Sequence, residues 1–254
     1  MKLILFFKTL VAGEVKTRLA LSVGSEKALI VYRSMVEDLM SALAPLDPII
    51  VPYVSPDENK ALARFENILR KPVRKQSEGD LGDKMYNAFY EVFGEGAEKA
   101  VLIGSDIPHI EKTLIMAFFD KLDDFPAVIG PSVDGGYYLI GFRKDSLKKS
   151  FFEGIRWGTD KVFEETKRRM ENSGTTLFIG EKLRDIDTIE DLGIVLENEA
   201  WRALLPRVCA AAEKVLNRYE RRAQRQVNPR GRAVPSVGTA DMSARGLDGR
   251  EVFP

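Results

Sequence analysis

Cysteine and histidine are nearly missing from this chain: one of each, Cys209 and His109, in 254 residues. A single thiol excludes an intramolecular disulfide and fits a reducing compartment. One His with one Cys also excludes a zinc site of the usual nitrogen–sulfur kind. No apolar run approaches the roughly 18–20 residues needed to span a bilayer. Met1 to Lys8 has a charge and an apolar run but no small-residue cleavage site after it, so it reads as a first strand rather than a signal peptide. Net charge is absent too, with 38 Lys and Arg against 38 Asp and Glu. That balance hides an asymmetry, since residues 201–254 hold eleven Lys/Arg against five Asp/Glu. With no aromatic platforms interleaved, this excess reads as a solvated helix end and tail, not as a nucleic-acid surface. The absences point to a cytoplasmic soluble protein with an ordinary enzyme composition, 44% hydrophobic and 30% charged.

What is present is an alternation. Apolar runs at Lys2–Phe7, Ile49–Val51, Val101–Gly104, Ala127–Gly130, Tyr137–Phe142 and Thr176–Ile179 read as strands, with a short one within Pro72–Gln76. Between them, helical spacing covers residues 26–44 behind Ser25 as cap, 57–67, 82–93 and 113–122, and another helix begins near Thr159-Asp160. Strand–helix alternation predicts an α/β fold, a largely parallel sheet with helices on both faces. Thr188-Ile189-Glu190-Asp191 reads as a capping box, opening a helix that runs to Tyr219 with a break at Pro206. Trp201, Leu204, Leu205, Val208, Ala211, Ala212, Val215, Leu216 and Tyr219 give it a continuous apolar face, which packs on the chain itself or on a second copy as a homodimer. Residues 1–195 are thus expected to form the main domain, 196–226 a helical extension, and 227–254, rich in Pro, Gly, Ser and Arg, a disordered tail.

Several short stretches at expected strand ends carry chemistry. Asp106, just after Val101–Gly104, is a hard oxygen ligand suited to Mg²⁺ or Mn²⁺ carrying a phosphate, or else a turn cap. The loop after the first strand offers Gly13 for close backbone approach, with Lys16 and Arg18 for phosphate charge; it lacks the P-loop spacing, and a solvated basic loop is the alternative. Gln76 through Gly82, with Gly79 and Asp80, could frame a nucleobase or simply turn the chain. Asp134-Gly135-Gly136-Tyr137-Tyr138 offers a carboxylate, close backbone and an aromatic ring for a sugar, against an Asp-Gly hairpin. Trp157-Gly158-Thr159-Asp160 places an aromatic beside a helix start. Asp185 and Asp187, at i and i+2, share one face of an extended chain and suit a cation.

In this order these stretches resemble the DUF2064 family, over residues 1 to about 195, with one departure at Leu10, where the family usually has Pro. Members are often labelled glycosyltransferases, some of them in arsenosugar biosynthesis clusters. The family is similar to nucleotide-diphospho-sugar transferases of the three-layer, Rossmann-like GT-A fold, and more distantly to the nucleotidyltransferases of molybdenum-cofactor and F420 biosynthesis. The resemblance implies a metal-dependent transferase. Asp106 with Asp187, or Asp185, would hold the divalent cation (Mg²⁺ or Mn²⁺). Lys16 and Arg18 would meet the phosphates, and Gln76 and Gly79 would lie near the base. Asp134 would face the sugar or acceptor as a general base, beside Gly135, Gly136, Tyr137, Trp157 and Thr159. The first expectation is sugar transfer from a nucleotide-sugar to a small-molecule acceptor. The alternative is nucleotidyl transfer from a nucleoside triphosphate to a phosphorylated acceptor with release of pyrophosphate, which Lys16 and Arg18 favour.

Overall fold

The computed structural model describes residues 1–55 and 59–227. Among them, β1 (Lys2–Lys8), β2 (Ile50–Ser55), β3 (Arg74–Lys75), β4 (Lys99–Gly104), β5 (Ala127–Pro131), β6 (Tyr137–Arg143) and β7 (Leu177–Ile179) form one sheet in the order β3-β2-β1-β4-β6-β5-β7. All pairings are parallel except those of β6, which runs antiparallel between β4 and β5. The apolar run of β1 explains its central place. Its period of two sends Leu3, Leu5 and Phe7 to one face and Ile4 and Phe6 to the other, and both faces are buried.

The first face is covered by α2 (Ser25–Ala42), α3 (Asn59–Leu69) and α5 (Lys112–Asp124), through Tyr32, Val36, Phe65 and Phe118. The second is covered by α4 (Leu81–Gly94), through Met85, Phe89 and Val92, and by Met170 of α6 (Val162–Asn172). α4 starts where it does because the Asp80 carboxylate accepts from the Asp83 N–H. A third core lies outside α2. There Ala28, Val31 and Met35 meet Leu19 and Val23 of α1 (Thr17–Val23), Leu192 and Val195 of α7 (Ile189–Glu197), and Val208, Ala212 and Val215 of α9 (Pro206–Val227). The apolar face expected from Trp201 onward is therefore packed within the chain as far as Leu216, while Tyr219, its expected last member, is exposed. Its anchor is Asp38, 1% exposed, which accepts from the N–H groups of Arg207 and Val208 and from the Arg207 guanidinium.

Local chemistry moves some expected boundaries. The long C-terminal helix is three pieces, because Asn198 caps a separate α8 (Glu199–Leu204) and Leu205 leaves helical backbone before Pro206. Thr188 and Asp191 do form a capping box. Ser25 is the first residue of α2 rather than its cap; Gly24 takes that place. The basic loop ends earlier than expected, since α1 begins at Thr17. Asp57, the expected start of α3, and the tail from Asn228 lie outside the described residues. Among the described residues, no helix is long and apolar enough to cross a membrane.

Candidate functional site

β1 and β4 are parallel neighbours, yet the chain leaves β1 for β2 and β3 on one side before crossing to β4 on the other. The strand order reverses there, and open α/β sheets take ligands outside the carboxyl ends of strands at such a point. The loops after β1 and β4 both open there. Tyr32 ties them together: its hydroxyl accepts from the Lys8 N–H at 2.9 Å and lies 2.9 Å from the Ser105 hydroxyl.

Lys16 and Asp106 meet at this point, and Asp187 joins them from the far end of the sequence. The Lys16 ammonium donates to Asp106 Oδ1 at 2.5 Å and to Asp187 Oδ1 at 2.7 Å. Burial alone would lower the Lys16 pKa, but the two carboxylates outweigh it and hold the ammonium charged. Burial likewise pushes the Asp106 carboxyl up, and Lys16 and Lys8 pull it below its ordinary range. Lys16 has left-handed backbone, φ 48 and ψ 48, uncommon for a residue with a side chain. Arg18 stands outside, 4.0 Å from Asp187 Oδ2, with its side chain 65% exposed.

Two hydrogen-bond systems bring Asp187 in. The Ile186 N–H donates to the Asp106 carbonyl at 3.0 Å, joining the two loops directly. The Asp191 carboxylate accepts from the N–H groups of Asp187 and Thr188, from the Thr188 hydroxyl and from Arg184. Asp191 thus caps α7 and shapes the Asp185–Asp187 segment at once, a second role that the capping-box pattern does not by itself reveal.

Two cavities flank the Lys16 cluster. The larger, about 440 Å³, runs under the ends of β1, β2 and β4 and is lined by Lys8, Thr9, Ser55, Gln76, Lys84 and Asp106, among others. Gln76 is fixed in it, its amide nitrogen donating to the Phe7 carbonyl at 3.2 Å. The smaller, about 110 Å³, is lined by Asp106, Asp134, Asp185, Asp187, Ser132 and the tyrosines 137 and 138. Asp185 is raised to about 6, by burial first and then by the like charges of Asp187 and Asp134. Asp185 and Asp187 share a face here, as their i, i+2 spacing predicts.

The other expected residues are spread more widely. Asp134 lines the smaller cavity, but its Oδ1 accepts from the Ser132 hydroxyl at 2.5 Å and the Gly136 N–H at 3.0 Å, closing the β5–β6 hairpin. Gly135 is required by packing: at φ +88, a Cβ there would lie 2.2 Å from the Asp160 carbonyl oxygen. Gly13, also at positive φ, turns the loop that delivers Lys16. Gly79 and Asp80 belong to the start of α4, and Asp80 lines a separate cavity with Gly82, Asp83 and Lys149. Trp157 packs over Gly82, and the Thr159 hydroxyl donates to the Arg156 carbonyl at the surface. Sequence reading missed Lys8, Thr9, Ser55 and Lys84, which converge only once β1, β2 and α4 are assembled.

Known proteins are similar to this chain. A family profile described as an uncharacterized protein conserved in bacteria (DUF2064) matches residues 42–159. A crystal structure from Desulfovibrio desulfuricans, provisionally described as a nucleotide-diphospho-sugar transferase, is 33% identical, covers 85% of this chain and 99% of its own, and superposes with a TM-score of 0.75. The 2-phospho-L-lactate guanylyltransferase of Methanocaldococcus vulcanius is 27% identical over 184 residues, 71% of this chain and 78% of that protein. A cytidylyltransferase from Leptospira borgpetersenii shares the fold, with a TM-score of 0.51 at 14% identity over 84% of this chain and 95% of its own. The α/β architecture expected from the alternation of strands and helices is therefore that of the nucleotide-diphospho-sugar transferases.

Proposed function

The chain belongs to the DUF2064 family, and on that premise we propose that it is a nucleotidyltransferase, joining a nucleoside triphosphate to a phosphorylated small-molecule acceptor with release of pyrophosphate. The observation that carries this reading is the Lys16–Asp106–Asp187 cluster, whose Asp106 lines both cavities, so that a buried cation and its carboxylates lie beside room for a nucleoside. Relatives named as guanylyltransferases, similar over 71% of the chain, favour it over the sugar transfer that the sequence alone puts first.

In the reaction, a phosphate oxygen of the acceptor attacks the α-phosphorus. A new P–O bond forms, the α–β bond breaks, and the electron pair leaves with pyrophosphate. Catalysis of this kind is positioning plus charge neutralisation. Lys16 supplies positive charge, and Arg18 adds more from the exposed rim. Gln76 has its amide nitrogen committed to Phe7, so its carbonyl oxygen is left to accept from N–H groups on the base edge. Guanine offers such donors, which makes GTP the first donor to test. The acceptor phosphate is already ionised and needs no general base. In this reading the Asp134 carboxylate holds its hairpin and lines the acceptor side.

A divalent cation fits the donor set. The Oδ1 atoms of Asp106 and Asp187 converge on one point, now shown by the Lys16 ammonium. Mg²⁺ is typically held by one or two carboxylates together with substrate phosphates rather than by an all-protein cage. Among the described residues, no group of three or more His, Cys, Asp or Glu is arranged to hold a metal by itself, so an ion here would need the nucleotide's phosphates as well. Asp106 and Asp187 would hold the ion, which supplies charge against the triphosphate when bound. Four carboxylates line the smaller cavity, so a phosphorylated acceptor depends on that cationic charge.

The test is pyrophosphate release, read through pyrophosphatase-coupled phosphate detection, with each nucleoside triphosphate, Mg²⁺ and a panel of phosphorylated hydroxy acids that includes 2-phospho-L-lactate. Pyrophosphate in step with a nucleotidyl product, identified by mass, is expected. Release of nucleoside diphosphate from a nucleotide-sugar, with no pyrophosphate from any triphosphate, would return the reading to sugar transfer.

A further inference from the structure

The Lys16 side chain is 1% exposed, whereas its partners Asp106 and Asp187 are 39% and 27% exposed. The buried member of the cluster is thus the ammonium, and the carboxylates keep their outer sides toward the cleft. An ammonium is a compact point charge on a flexible stem. Seated against one oxygen of each carboxylate, it occupies the place that a hard dication would take between them. Its left-handed backbone aims the side chain inward at the start of α1, and a buried ion pair of this kind is costly to leave half-made. Arg18 cannot replace it, because the Arg18 guanidinium stays on the rim, 4.0 Å from Asp187 Oδ2.

Resting on the reading that a divalent cation accompanies the nucleotide, we propose that Lys16 is a resident competitor for the cation's seat. It holds Asp106 and Asp187 together and keeps a free divalent ion out. It yields the seat only to an ion that arrives with a triphosphate, whose oxygens take the ammonium in exchange. Cation and nucleotide then bind as one unit, each raising the other's affinity by the same factor, as linkage requires. Lys16 so becomes a residue that sets the order of binding, beyond neutralising phosphate.

The experiment is a Mn²⁺ titration followed by the electron paramagnetic resonance of the free ion, with and without GTP, on the full chain and on Lys16→Met, Lys16→Gln and Lys16→Arg. Wild type is expected to bind Mn²⁺ weakly alone and at least about tenfold more tightly with GTP, and the two neutral variants at least about tenfold more tightly than wild type without nucleotide. Lys16→Arg, which keeps the charge, should resemble wild type. Neutral variants that bind free Mn²⁺ no better than wild type would overturn the proposal. So would a wild-type protein that binds Mn²⁺ equally well with and without GTP, a result that needs no variant to fold. Tightening in the neutral variants with no GTP effect on any protein would overturn the exchange as proposed and remove the nucleotide reading, leaving only a competition between Lys16 and the free ion. Silence from every protein would remove the metal and the exchange together.

Discussion

His109 makes a sharp prediction because it is the only histidine in the chain. It follows Asp106-Ile107-Pro108, is 9% exposed, and stacks on Trp201 of α8 with ring centroids 4.0 Å apart. Neither ring nitrogen has a hydrogen-bond partner. Burial therefore favours the neutral ring and pushes its pKa down from 6.5 to about 4. The sign of the linkage follows. Between pH 6.5 and 4 the unfolded chain is protonated at this residue and the native one is not, so stability falls as the pH falls. A shift of that size integrates to about 2 kcal/mol between pH 7 and pH 5. The Trp201 ring returns up to ~1 kcal/mol to a stacked imidazolium, which leaves a loss of about 1–2 kcal/mol.

The assay is urea unfolding at pH 7 and pH 5 of wild type and of His109→Phe, which keeps the stack and removes the titration. Comparing the pair cancels the carboxylates, which matters because Asp185 works in the opposite direction. With its native pKa raised to about 6, Asp185 favours folding at low pH and loses that contribution as the pH rises through 6. The wild-type loss should exceed the variant's by about 1–2 kcal/mol. Proton NMR offers a second reading, since a single histidine gives one Hε1 resonance to follow, with a native midpoint below about 5. A midpoint near 6.5, or a wild-type–variant difference that does not change with pH, would refute the reasoning.

Three further outcomes follow from named contacts. Asp38→Ala strands two N–H groups at the start of α9 and the Arg207 guanidinium; urea unfolding should show a loss of about 3 kcal/mol, with Asp38→Asn recovering part of it. Asp191→Ala should lower stability by ~2 kcal/mol and also weaken GTP binding in the presence of Mn²⁺ by titration calorimetry; affinity unchanged would show that the Asp185–Asp187 segment holds itself. Gly135→Ala meets both a positive φ and the Asp160 carbonyl, so thermal unfolding should reveal a loss of about 2–3 kcal/mol, and a wild-type midpoint would mean that the 157–162 loop yields freely.

Much of the fold was legible because it rests on short-range pattern. The apolar run of β1, the cap at Thr188 and the apolar periodicity of α2 each appear within a few residues of sequence. The antiparallel run of β6 was less so. Asp134-Gly135-Gly136 reads both as a hairpin and as a ligand loop, and only the pairing of β5 with β6 shows that it closes a hairpin. The site was legible in its parts but not in its pairings. Asp106 and Lys16 could each be read as ligand-facing, yet nothing local says that they share a bond across 90 positions, or that Lys16 reaches Asp187 across 171. Tertiary closure makes those pairs, and one-dimensional periodicity carries no trace of it.

That closure also links the C-terminal helices to the site. Asp38 fixes the start of α9 against α2, Trp201 of α8 covers His109 three residues after Asp106, and the Ile186 N–H bonds the Asp106 carbonyl while its side chain lies in the α1–α2–α9 core. Loops at strand ends are usually the least rigid part of such a sheet. Here the loop after β4 is held from the Tyr32 side and from the helical layer at once. Two carboxylates drawn to one ammonium repel each other, and the arrangement persists only if the surrounding structure over-determines it. Helices α7 to α9 supply part of that determination through the Trp201–His109 stack and the burial of Ile186. They are therefore part of the site's scaffold rather than an appendage to it.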